Sequence, residues 1–337
     1  MNHSCLSNGS CWMRLAPLYL LIWIIPVILG PIYIYLFSFQ INLLIIIGFY
    51  SLAERAILSL VAGRQSPGVV GFRGVMQPMA DGMKLYMKDM IRLSKSNHFA
   101  YVVCPSVSMG LSFGAWSCFP FWGTYTIEIS ALLFLCFVSL SAVPIMVAGW
   151  ASNSKYSLLA SVRALAQAIS YEVVLGLLLV FPLLFSKSLE FSSVTGPNQT
   201  IWMALAYPPL FGMWLVCILA ETNRSPFDLV EAESELVSGY NVEYSGLHFA
   251  LFFMSEYSNM LLFSVITTAL YLNDGWFFFD PQVGEVYFIT KAFFVSLFIL
   301  LCRAVFPRIR FDQLMTLMWK GFLPLTLSFY IWFIVFQ

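Results

Sequence analysis

The chain has 337 residues, and its 17 Lys+Arg balance its 17 Asp+Glu. Only 10% of it is charged, while 60% is hydrophobic and 17% aromatic, against roughly 25% charged and 45–50% apolar in ordinary soluble domains. So few charges cannot cover so much apolar surface. That excludes a water-soluble enzyme, a nucleic-acid binder and a disordered chain, and makes lipid the main solvent.

In chain order, residues 1–14 are polar with the single base Arg14, and an uncharged stretch runs from Leu15 to Ala53. The stretch is too long for the apolar core of a cleaved signal peptide. Pro26, Gly30 and Pro31 interrupt it, so residues 15–29 are expected to be a short span or an in-plane segment and residues 32–53 a full span. Residues 54–98 carry Arg55, Arg64, Arg73, Lys84, Lys88, Arg92 and Lys95 against Glu54, Asp81 and Asp89. Within this loop, about Asp81 to Leu93 reads as an amphipathic helix lying on the membrane. Further apolar stretches of about 20 residues, the length a span needs, lie near 99–121, 129–150, 161–186 and 201–220. An acidic segment, 221–247, follows, with Arg224 as its only base. The last two stretches, 286–306 and 316–336, come after one at 248–271 and flank Arg303, Arg308, Arg310 and Asp312 around Pro307.

The expected fold is therefore an all-α polytopic membrane protein. It is one integral membrane domain over 1–337, a bundle of eight transmembrane helices with an extra N-terminal hydrophobic segment over 1–31 and an amphipathic surface helix. Threading the spans alternately, with 54–98 inside, puts fourteen of the seventeen basic residues on the inner side, as the positive-inside rule requires. The inner loops are then long and charged and the outer ones short, which suits a hydrophilic partner docked on the inner face.

Cys5, Cys11, Cys104, Cys118, Cys136, Cys217 and Cys302 are scattered without a CxxC pair. That is neither a disulfide framework nor a zinc or iron–sulfur site. His3, His98 and His248 lie too far apart in sequence to suggest a membrane haem, and no Gly-rich phosphate loop precedes a helix. The chemistry rests on charges that lipid should have excluded. Glu172 and Glu256 fall inside apolar stretches and Glu221 at the inner end of another. Carboxylates at such depth usually mark proton or ion paths; the rival reading is a neutral Glu hydrogen-bonded to another helix for packing. Glu231, Glu233, Glu235 and Glu243 read either as a solvated face or as a functional loop, interleaved as they are with Phe227, Tyr240 and Tyr244. The basic loop reads as an orientation signal and headgroup anchor. Arg55, at the expected end of a span, suits a cavity that admits an amphipathic ligand with a polar head.

Several of these residues fall in long recognisable motifs. Ala220–Glu–Thr–Asn–Arg–Ser–Pro–Phe–Asp–Leu, followed by Glu231–Ala–Glu–Ser–Glu–Leu–Val–Ser–Gly–Tyr–Asn–Val–Glu–Tyr244, closely resembles the signature loop of subunit 1 of respiratory complex I, the H subunit of bacteria. Arg163–Ala–Leu–Ala–Gln–Ala–Ile–Ser–Tyr–Glu172, Gln77–Pro–Met–Ala–Asp81–Gly–Met–Lys84 and Pro307–Arg–Ile–Arg310–Phe–Asp312–Gln–Leu–Met resemble other motifs of the same family. The likeness covers about residues 33–336.

The resemblance implies a core membrane subunit of the proton-translocating NADH:ubiquinone oxidoreductase, multi-pass in the mitochondrial inner membrane or, alternatively, a bacterial plasma membrane. Such a subunit has ubiquinone as substrate and no metal, haem, flavin or iron–sulfur cluster of its own. It holds no catalytic residue that acts alone. Its implied partners are the peripheral-arm quinone-site and iron–sulfur subunits, neighbouring small membrane subunits and lipid, with no nucleic acid. By the same resemblance Arg55, Arg64, Asp81, Arg224, Phe227, Asp228, Arg303, Arg308 and Arg310 line or support a quinone chamber. Asp81, Glu172, Glu221, Glu231, Glu233, Glu235, Glu243 and Glu256 form the proton path leading from it. The chain departs from the family at Ala56, at Ala62 and at Ser66–Pro67–Gly68, which makes Arg64 a weaker chamber candidate than Arg55, and in its longer N-terminus. Rival readings are the membrane subunit of an energy-converting hydrogenase, a stand-alone proton-coupled transporter, and a structural scaffold. The transporter would more often show paired repeats and broken helices.

Overall fold

The computed structural model describes residues 31–91, 93–119, 127–194, 202–229, 239–272 and 281–336. The N-terminal hydrophobic segment and Glu231, Glu233 and Glu235 lie outside them. Among the described residues the chain is helical, without strands. The longer helices are α1 (Pro31–Val61), α2 (Gln77–Met87), α3 (His98–Trp116), α4 (Ser130–Ala151), α5 (Lys155–Ser186), α6 (Pro208–Glu221), α7 (Leu247–Tyr271), α8 (Pro281–Val305) and α9 (Phe311–Val335). Seven of these are long and apolar enough to cross a membrane. The exceptions are α2 and α6. At 14 residues, α6 is only about 21 Å long, though it stands where the fifth of the eight spans is expected.

Two boundaries differ from expectation. Helix α1 continues past the expected end of the span to Val61, so Glu54 and Arg55 lie within the helix wall rather than at its end. Glu54 is only 3% exposed; its charge is neutralised inside the protein, and the helix has no reason to stop there. The surface helix runs Gln77–Met87 rather than from Asp81, since Pro78 provides a ready-made first turn. None of its residues is buried.

Helices α5 and α7 organise the bundle. Helix α5 packs against α4, α6 and α9, and α7 against α1, α3 and α8. Buried polar groups tie the helices together, as lipid demands of any group that water cannot reach. Trp116 Nε1 donates to the Ser258 carbonyl at 3.2 Å, Trp214 Nε1 to Thr267 Oγ1 at 3.2 Å, and the Tyr271 hydroxyl to the Leu178 carbonyl at 2.9 Å. Lys291, 9% exposed, donates to the Leu272 carbonyl at 2.8 Å, with its ammonium over the Tyr287 and Trp202 rings. The main apolar core gathers Phe134, Leu175, Leu178, Trp214, Phe263 and Tyr271.

The α4–α5 hairpin closes on small residues, the usual means of bringing membrane helices together. Ser157 Oγ donates to the Gly149 carbonyl at 3.0 Å and meets Ser152 Oγ at 2.6 Å. A Cβ added at Gly149 would sit 2.4 Å from the Ser161 side chain and 2.8 Å from the Ser157 carbonyl. Gly149→Val is therefore expected to destabilise the chain by about 1–3 kcal/mol and to lower the amount assembled on native gels. Gly212→Ala, where nothing lies within 4 Å, should leave the amount unchanged.

Candidate functional site

Glu54 is the centre of a buried charge cluster. Arg224 Nη1 donates to Glu54 Oε1 at 3.2 Å, Arg303 donates to the same oxygen, and the Tyr257 hydroxyl donates to Oε2 at 2.6 Å. The Arg224 guanidinium also lies 4.8 Å from the centre of the Tyr257 ring, a favourable cation–π contact. Tyr50 packs edge-on against Tyr257 and reaches the Ser296 carbonyl at 3.3 Å, tying α1 to α8. Burial is the strongest single influence and works against the Arg224 charge, but Glu54, Tyr257 and Glu256 together outweigh it and hold the guanidinium above its ordinary pKa. One carboxylate thus faces two guanidinium groups. Among the described residues Arg224 Nη2 has no hydrogen-bond partner.

The segment after α6 carries Arg224 into this cluster, and Gln167 of α5 holds the segment. Gln167 is fully buried, and its Nε2 lies 2.9 Å from the Ala220 carbonyl, 3.2 Å from Asn223 Oδ1 and 3.2 Å from the Phe227 carbonyl. Phe227 is buried in the core. Asp228 pairs with Arg308 at 3.2 Å, and the Ile309 amide donates to the Pro226 carbonyl at 3.0 Å. The loop before α9 is thereby fastened to the loop after α6.

Arg55 pairs with Asp81 at 2.7 Å, and Gln77 also donates to Asp81, at 3.1 Å. This pair joins α1 to α2 but is half open to the outside, its side chains 50% and 33% exposed. Arg64 and Arg310 are exposed and stand apart from the Glu54 cluster.

Next to the charge cluster lies a polar cavity of about 40 Å³ between α3, α4, α5, α7 and the segment after α6. It is lined by Glu221 and Glu256, with Ser108, Ser141, Asn223 and Asn259 among the other polar groups. A volume of this size holds about two or three waters, and its walls offer the polar partners that water needs. The Tyr240 hydroxyl donates to Glu256 Oε1 at 2.7 Å, and Tyr171 is within hydrogen-bonding reach of Glu221. Glu256 and Tyr257 are neighbours on α7. Glu256 lines the cavity and Tyr257 the Glu54 cluster, so a single turn of helix borders both.

Glu172 is placed differently from the other two expected intramembrane carboxylates. It lines an open, mostly apolar groove of about 530 Å³ between α4, α5 and α9, beside Leu135, Val173, Gly176 and Tyr330. Tyr171, its neighbour in sequence, interacts electrostatically with both it and Glu221. The Glu243 carbonyl accepts the Tyr101 hydroxyl at 2.6 Å, so this residue packs against α3.

Glu54, Tyr257, Tyr171 and Gln167 complete the site without having been singled out in the sequence, and Tyr240 is noted there only as an aromatic of the acidic loop. For Glu54 a signal existed: a helix extended to Val61 makes it an intramembrane carboxylate, and the same rule that selects Glu172 and Glu256 then selects it. For Gln167 the signal is an amide inside an apolar run.

A bundle of membrane-crossing helices with a charge cluster and a polar cavity packed between them is a multi-pass membrane protein. The sequence model of the family described as NADH dehydrogenase matches residues 34–334. Chain 1 of NADH-ubiquinone oxidoreductase from Carassius auratus is 42% identical over 296 residues, covering 88% of this chain and 91% of the relative. The chain 1 proteins of Tetraodon nigroviridis and Gallus gallus are 42% and 41% identical over the same length, with the same coverage. The chain belongs to this family, subunit 1 of complex I. It is a core membrane subunit of the proton-translocating NADH:ubiquinone oxidoreductase and a multi-pass protein of the mitochondrial inner membrane.

The two carboxylate pairings should respond very differently to neutralisation. Glu54→Gln leaves two guanidinium groups without their shared counter-charge and is expected to cost about 3–5 kcal/mol. Asp81→Asn removes a half-exposed pair worth about 0–1 kcal/mol. Thermal inactivation of the assembled complex should therefore shift strongly for the first and barely for the second; equal shifts would contradict the burial of the Glu54 cluster.

Proposed function

We propose that this chain forms the membrane part of a quinone chamber and the first stretch of the proton path leading from it. The observation that carries the reading is the adjacency of the Glu54 cluster and the polar cavity, joined through Glu256 and Tyr257 of α7. The quinone is the substrate, and the chain supplies no redox centre; electrons arrive from an iron–sulfur cluster in a peripheral-arm subunit docked on the inner face. Other partners are the neighbouring small membrane subunits and lipid.

In this reading the chamber wall is built from Arg55, Asp81, Arg224, Phe227, Asp228, Arg303, Arg308 and Arg310, with Arg64 towards its mouth. The excess of guanidinium over carboxylate around Glu54, and the spare Nη2 of Arg224, supply hydrogen-bond donors and positive potential for a quinone carbonyl that gains electron density. Reduction to quinol consumes two protons. Charge appearing in a site of low dielectric acts on its neighbours almost unscreened, and the nearest carboxylates across α7 are those of the cavity.

Protons then pass along Glu221 and Glu256 with the cavity waters, and sideways past Tyr171 to Glu172. Its position in an open groove fits a hand-over to a neighbouring membrane subunit. Asp81, Glu231, Glu233, Glu235 and Glu243 feed this path from the inner side.

Glu221→Gln and Glu172→Gln are each expected to leave assembly and uncoupled NADH–quinone electron transfer in place while lowering the protons translocated per electron. The measurement is proton uptake by vesicles containing the intact complex, compared with NADH oxidation in the same sample. A normal ratio in both variants would remove the path from the reading; lost assembly in both would make these carboxylates structural.

A further inference from the structure

Three carboxylates of the site, Glu54, Glu221 and Glu256, each meet a tyrosine hydroxyl. Of the three tyrosines, Tyr240 is the one that does not come from a membrane-crossing helix. It sits in a 3-10 turn, Gly239–Asn241, immediately after the acidic run that holds Glu231, Glu233 and Glu235 in the sequence. Its ring is 1% exposed and clamped edge-on against Phe252 at 5.2 Å. The hydroxyl is thus held by packing rather than by its own flexibility.

That hydroxyl is a hydrogen-bond donor. It donates to Glu256 Oε1 at 2.7 Å, and the residue lines the 40 Å³ cavity shared by Glu221 and Glu256. A phenol both donates and accepts. A phenol oxygen that donates its proton to Glu256 can at the same time accept one from water. We propose that Tyr240 is a proton-relay residue, its hydroxyl passing protons between the cavity and Glu256.

The transfer balances without a charged tyrosine. A cavity water gives a proton to the Tyr240 oxygen as the hydroxyl proton moves to the Glu256 carboxylate. The phenol is neutral and singly protonated before and after, and Glu256 ends as the acid. The water regains its proton from the next group along the cavity, for which Glu221 is the available donor. The proposal rests on the reading that the cavity carboxylates carry protons, and it adds a specific route between cavity and carboxylate.

Tyr240→Phe keeps the clamped ring and removes the relay atom alone. In vesicles containing the intact complex, normalised to the amount assembled, uncoupled NADH–quinone electron transfer should stay within about twofold of the parent. Proton-coupled turnover should fall about tenfold, less than the roughly hundredfold cost of losing an acid–base group outright, because a water can stand in for the hydroxyl. Redox-induced infrared difference spectra supply a second readout. The Glu256 carboxyl band, identified by its disappearance in Glu256→Gln, should shift in Tyr240→Phe because its hydrogen bond is gone. If Glu256→Gln stops pumping while Tyr240→Phe pumps normally with an unshifted band, the relay is overturned and the carboxylate path stands. If Glu256→Gln itself pumps normally, both fall together.

Discussion

A carboxylate placed in the wall of a membrane-crossing helix has to be answered by something within a few ångströms, because the surrounding medium will not solvate it. Glu54 is answered from three other parts of the chain: Arg224 after α6, Tyr257 on α7 and Arg303 at the end of α8. These contacts draw α1, α7, α8 and the segment after α6 to one point. Once Arg224 is fixed there, the segment it belongs to is fixed too, and Gln167 completes the hold from α5. Asp228, on the same segment, then meets Arg308 and secures the loop before α9. This end of the bundle is thereby organised around one buried ion cluster, whose carboxylate cannot be removed without stranding the guanidinium groups it answers.

The arrangement also explains why two spaces of different chemistry lie so close. Successive residues on a helix point about 100° apart, so Glu256 and Tyr257 necessarily look into different spaces. One space is rich in guanidinium and suits a ligand that becomes more negative. The other is lined by carboxylates, hydroxyls and amides and suits water and mobile protons. Neither requires the other to move for an electrostatic change to be felt between them.

Much of the architecture was legible in the sequence because lipid imposes a simple rule. Any run of about 20 apolar residues has to be a helix, and the helices from α3 to α9 fall close to where the rule puts them. The rule fails where charge is hidden by pairing: it ends α1 at the first charged residue, whereas the helix carries Glu54 and Arg55 on to Val61. The partners themselves were not legible. Glu54 is separated by 170, 203 and 249 positions from Arg224, Tyr257 and Arg303, and no local pattern encodes contacts of that range. The apolar pattern singled out Glu172, Glu221 and Glu256 as carboxylates at depth, but not that Glu221 and Glu256 share a cavity while Glu172 lines a separate groove. That division depends on which face of α5 meets α6, and only packing determines it.

The shortness of α6 has an electrical consequence. Its 14 residues span about 21 Å, where the hydrocarbon layer is about 30 Å thick, and its C-terminal end meets the polar cavity at Glu221. Water filling that cavity, wherever it joins the solution outside, would carry the conducting boundary into the bilayer. The transmembrane voltage, worth about 2.3 kcal/mol per charge at 100 mV, then drops over the shorter distance, and the local field is steeper by a factor of about 1.4. A proton moved along α6 works against a larger share of the voltage for each ångström it travels than it would across unmodified bilayer.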